Sequence, residues 1–69
     1  MILENISAGD ILHCMEQMPY GFRTIFNMYA IEGYSHNEIA KLLDISESTS
    51  RSQYSRARSW LQNKLNELK

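Results

Sequence analysis

Apolar residues recur along this chain at helical intervals, and no stretch alternates as a half-buried strand would. From Ser46 onward, Ser50, Tyr54, Ala57, Leu61, Leu65 and Leu68 follow one another at spacings of four, three, four, four and three. Such spacing is the mark of one long amphipathic helix. Upstream, Ile39, Ala40, Leu42 and Leu43 form the expected inward side of a shorter helix, Phe22, Ile25, Phe26 and Tyr29 the largest part of the core, and Ile11, Leu12 and Met15 a first short helix. The punctuation fits these stripes. Ser7-Ala8-Gly9-Asp10 and Ser35-His36-Asn37-Glu38 both read as capping boxes, in which a serine hydroxyl and a carboxylate exchange hydrogen bonds with backbone N–H groups. Pro19 suits a first helical turn, and Gly33 the left-handed cap after Glu32. Asp44-Ile45-Ser46 makes a tight turn, with Ile45 as its buried anchor and Ser46 as the next N-cap. The expectation is an all-α fold of four helices over 8–17, 19–32, 36–43 and 47–67, the last two forming a helix-turn-helix of winged-helix-like type. Residues 1–6 have no period and read as the tail of a linker or the start of an excised piece, leaving 7–69 as one domain.

Sixty-nine residues bury only a modest core, so stability should be marginal. No run is apolar enough for a membrane span, and the N-terminus does not read as a signal peptide. The single cysteine, Cys14, cannot form an internal disulfide, which fits a reducing cytoplasm. A net charge of −1 argues at first against a polyanionic partner, but the distribution reverses that. Residues 1–46 carry Arg23 and Lys41 against six acids, whereas 47–69 carry Arg51, Arg56, Arg58, Lys64 and Lys69 against Glu47 and Glu67. A basic final helix sits on an acidic body, and local potential rather than the total steers a polyanion.

Projected at about 100° per residue, the last helix puts Ser50, Tyr54 and Ala57 inward and Ser48, Ser52, Ser55 and Ser59 outward, flanked by Thr49, Arg51 and Arg56. Small hydroxyls allow close approach to a DNA major groove and can bond to base edges or phosphates. Arg51, near the helix start, is best placed for a bidentate contact to guanine; Arg56 and Arg58 are placed to anchor phosphates. Glu47 suits the positive end of the helix and could accept from a cytosine amino group. Residue types alone leave open a solvated serine-rich surface with no partner. Other constellations read plainly. Asp10, His13 and Cys14 fall short of the four ligands a zinc site wants, so no metal or other cofactor is expected. His36 reads as a surface residue or at most a phosphate contact, Met15, Met18 and Met28 as core filler, and Trp60 as packing on the first helix. Without a phosphate loop or a nucleophile–base pair, the chain does not read as an enzyme.

The run EIAKLLDIS followed by ESTSRSQYSRARSWL resembles the C-terminal DNA-binding module, region 4, of bacterial sigma-70 family factors, and within them the small extracytoplasmic-function (ECF) group. Upstream, MPYGFRTIFNMYAIEGYSHNEIA also matches, so the likeness spans about residues 7–65. Its more specific part combines Pro-x-Gly-x-Arg, Glu-Gly-Tyr-Ser and Ser-Arg-Ala-Arg. The resemblance implies a non-enzymatic domain that recognises the −35 promoter element in the bacterial cytoplasm. Its implied partners are double-stranded DNA, the β flap of core RNA polymerase and an anti-sigma factor. Matched residue by residue, Ser48, Thr49, Arg51, Ser52, Gln53, Ser55 and Arg56 fall on the DNA-contacting segment, with Ser35 and Lys41 as backbone contacts. Two positions depart from the family pattern. Asp44 stands where Gly is common, though Asp tolerates left-handed geometry. Ser50 stands where Val usually packs, which should weaken the core. Two rival readings remain at this point. One is a stand-alone helix-turn-helix regulator of response-regulator effector type, dimerising through Leu61, Leu65 and Leu68. The other is a protein-interaction module that uses the acidic front face.

Overall fold

The computed structural model describes residues 7–67, and all regular structure in them is helical. Helix α1 spans Ala8–Gln17 and α2 spans Tyr20–Phe26, running on into a π-helical turn over Asn27–Ile31. Helix α3 covers His36–Leu43 and α4 Glu47–Glu67. The expected four helices are thus present, whereas the expected linker 1–6 and the last stripe residue, Leu68, lie outside the described residues.

Local chemistry sets the boundaries. Ser7 accepts from the Asp10 N–H at 3.1 Å while its own N–H donates to the Asp10 carboxylate at 3.2 Å. Ser35 and Glu38 repeat the box at 3.1 and 2.9 Å. At the other end of α1 the last turn holds no cation of its own, and the Arg23 guanidinium donates to the Glu16 carbonyl at 3.2 Å. That is where a positive charge suits the helix dipole. Pro19 stands one position earlier than expected, as the N-cap of α2: its ψ of 141° is extended, and its carbonyl accepts from the Arg23 N–H at 2.9 Å. Gly33 at φ 81° and Asp44 at φ 56° are the two left-handed residues, so Asp44 does take the geometry a glycine would.

The π turn is the one element that periodicity did not announce. The Glu32 N–H reaches back five residues to the Asn27 carbonyl at 2.9 Å, and the Tyr34 N–H six residues to Met28 at 2.9 Å. Widening the helix by one residue shifts everything beyond it around the axis. Tyr29, expected in the core, lies within this turn: it is 38% exposed and stacks on His36 of α3.

Helix α4 is the axis of the packing. Its C-terminal half meets α1, where Cys14 and Leu65 are buried and Ile11 and Leu61 pack around them. Its N-terminal half meets α2 through the stacked rings of Phe26 and Tyr54, 5.7 Å apart, and α3 through a hydrogen bond between His36 and Ser50. Ile25, Ile39, Ala40, Ser50 and Ala57 are the buried residues of this half. Leu12 and Leu42, expected inward, are 60% and 61% exposed, and Leu43 lies at the surface too. The reason is geometric. Helix α3 is only two turns long and turns Ile39 and Ala40 to the core, while α1 closes on α4 through Ile11 and Cys14, leaving the next positions outside. Trp60 is half-buried, with the Lys64 ammonium 5.6 Å from its ring centroid.

The Ser35 backbone N–H and hydroxyl hold the Glu38 carboxyl below the usual carboxylate range. A carboxylate depressed in the folded state adds stability above its unfolded pKa and loses it as pH falls through the folded value. Thermal melts should therefore show the Glu38→Gln variant less stable than the parent near neutral pH, with the gap closing as the solution is acidified through and below the carboxylate range. A gap that stays constant with pH would contradict the cap.

Candidate nucleic-acid interface

The N-terminal two-thirds of α4 carries the candidate residues, and its start is fixed by Ser46. The Ser46 hydroxyl accepts from the Thr49 N–H at 2.9 Å and donates to the Thr49 hydroxyl at 2.8 Å. From there the helix turns Ser50 and Ala57 fully inward. Ser48, Ser52, Ser55 and Arg56 consequently line the outward ridge, all exposed. The Ser52 hydroxyl donates to the Thr49 carbonyl at 3.2 Å, folding back on the helix and leaving its lone pairs outward.

The two flanks of this ridge differ. On one, Arg51 and Glu47 form an i,i+4 ion pair at 2.9 Å. They share an open cleft of ≈ 650 Å³ with Tyr29, Ser35, His36 and Asn37. Ser35, Glu47 and Arg51, named from the sequence on two different helices, are thus brought together. On the other flank Thr49 and Gln53 face an apolar groove of ≈ 360 Å³ beside Tyr20, Leu43 and Ile45, the last only half-buried. These two residues are separated from the Arg51 cleft by the full width of the helix. Lys41 lies in the last turn of α3, at the opposite end of that helix from Ser35, and is exposed. Further along α4, Arg58 joins Ser55 and Ser59 in a shallow depression, its guanidinium 6.0 Å from the Tyr54 ring.

Three guanidinium groups on residues 47–60 therefore face one carboxylate, and that carboxylate is paired with Arg51. The arrangement sets exposed guanidinium groups on both sides of a row of small hydroxyls.

His36 also departs from its expectation as a surface residue. It is half-buried rather than a free surface side chain, with Nδ1 2.9 Å from the Ser50 hydroxyl oxygen. Tyr29 stacks on its face at 4.2 Å, and Tyr54 meets it edge-on at 5.8 Å. Ser50 lies on the buried side, as the projection expects, and its hydroxyl is bonded there. A signal was available in the sequence: a hydroxyl in an apolar stripe needs a partner when buried, and His36 opens the facing helix. Leu61 and Leu65, proposed by one rival reading as a dimer zipper, are engaged with α1.

A family model described as Sigma-70, region 4 matches residues 8–61. No curated protein and no solved structure matches the chain. Among the described residues no helix is long and apolar enough to cross a membrane.

Because the Glu47–Arg51 pair is exposed, it contributes little to folding. Replacing Glu47 by Gln should lower the unfolding free energy by no more than about 1 kcal/mol, the exposed pair and the helix-end charge together. A larger loss on chemical denaturation would show that the pair holds the start of α4 in place.

Proposed function

The chain belongs to the sigma-70 region 4 family, DNA-binding domains of transcription initiation without catalytic activity, and from that premise we propose that it recognises the −35 promoter element as part of an ECF-type sigma factor. Helix α4 enters the major groove along its serine ridge. Arg51 reaches a guanine edge, Ser48, Ser52 and Ser55 allow the close approach, and Arg56 with Arg58 anchors phosphates. Ser35 and Lys41 contact the backbone from α3. Glu47 releases Arg51 to the base or accepts from a neighbouring cytosine amino group. Thr49 and Gln53 contribute at the ridge margin, where they also border the apolar groove.

The observation that carries this reading is the division of α4. Its small residues Ser50 and Ala57 are buried, while its other serines are exposed between guanidinium groups. A helix spending its hydroxyls on stability would not keep four of them on the face away from the core. The apolar groove between Tyr20 and Leu43 supports docking on core RNA polymerase at the β flap, with an anti-sigma factor as competitor for the same surface. Such a complex works in the bacterial cytoplasm. Engagement of Leu61 and Leu65 with α1 disfavours the zipper-dimer regulator.

Titration of promoter and scrambled duplexes across salt tests the proposal. Arg51→Ala should cost about 1–3 kcal/mol of discrimination at one base pair. Arg56→Ala should weaken both duplexes alike and lower the log–log salt slope by about 1. A wild-type affinity flat in salt, or equal for the two duplexes, overturns the reading.

A further inference from the structure

We propose that His36, through its hydrogen bond to Ser50, positions the reading helix and so decides where Arg51 points; this role rests on the promoter reading above. Ser50 is fully buried within an otherwise apolar stripe, where a hydroxyl without a partner is costly. The His36 imidazole supplies that partner at 2.9 Å, either Nδ1–H donating to Oγ or the hydroxyl donating to a bare Nδ1. An apolar contact at this position would tolerate sliding and rotation. A hydrogen bond is directional, so the pair fixes the rotation of α4 about its axis relative to α3.

The imidazole is itself held from two other elements. Tyr29, delivered by the π turn, stacks on it with an interplanar angle of 12°. Tyr54, one turn beyond Ser50 on α4, closes the edge at 61° and is tilted against Tyr29 at 4.5 Å. Three elements therefore meet on one ring. Arg51 follows Ser50 directly and opens into the same cleft as His36 and Tyr29. A rotation of α4 by about 10° moves a group at the helix periphery by about 1 Å. Bidentate recognition tolerates displacements of about 0.5 Å and 10–20°, so a small loss of rotational control is enough to blur base reading while leaving phosphate contacts intact.

The test combines DNA titration with NMR of the free protein. In Ser50→Ala and His36→Phe, discrimination between promoter and scrambled duplexes should fall about tenfold, within what one bidentate arginine–base contact supplies. Affinity for the scrambled duplex should be unchanged in both. His36→Asn sets an amide near the place of Nδ1 and should restore discrimination to within about threefold of the parent. The combined His36→Phe, Ser50→Ala variant should be no worse than either alone, because both remove one interaction. Without DNA, the Arg51 Nε–Hε resonance should move in Ser50→Ala, a change that leaves every ring of the cleft in place. Discrimination within twofold of the parent in both single variants overturns the proposal, as do losses that add in the double variant or an unmoved Arg51 signal. A parent protein with no preference between duplexes, but with the Arg51 signal responding as expected, overturns the promoter reading and leaves the pair as a positioning device for Arg51.

Discussion

One helix in this domain has to serve two environments at once. Among the described residues α1, α2 and α3 all pack on helix α4, and they close on a narrow stripe of it while its remaining surface stays open. The stripe is narrow because its most buried members are small: Ser50 and Ala57 have no exposed surface, and neither does the facing Ile39. Small side chains at the contact bring helix axes close, which leaves more of the circumference of α4 outside the core. The price is a polar atom inside, and the His36 ring removes it.

That constraint explains why so acidic a chain can present a cationic face. Asp10 and Glu38 are taken up in the capping boxes that open α1 and α3, α2 carries no acid, and the one acid at the start of α4 is paired with Arg51. Affinity from three guanidinium groups is modest by the standards of stand-alone DNA-binding proteins. A domain tethered to a larger assembly does not need more, since linkage raises its effective concentration at the site.

Much of the fold was legible because its helices are announced by strong local chemistry. Both capping boxes, the Gly33 stop, the left-handed Asp44 and the Ser46 cap fall where the residues put them. The long stripe of α4 read correctly at each position the structure describes, since one helix packed along its whole length preserves its period. Shorter elements were harder. Leu12, Leu42 and Leu43 are as apolar as their buried neighbours, and only the finite width of the contact with α4 keeps them outside. The π turn has no local signature, and Tyr29 within it lines the cleft rather than the core. The outward residues of the candidate site followed from the projection, but the cleft joining Ser35 to Arg51 depends on how two helices cross. His36 was missed because each residue was weighed on its own, whereas its role exists only in company with Ser50.

The most direct examination of the central claim is a backbone amide shift map of the protein titrated with a −35 duplex. The account predicts that the largest changes fall on Ser48, Arg51, Ser52, Ser55 and Arg56, with smaller ones at Ser35 and His36 and almost none on α1. Changes concentrated instead around Tyr20 and Leu43, or along α1, would show that the serine ridge is not what meets DNA.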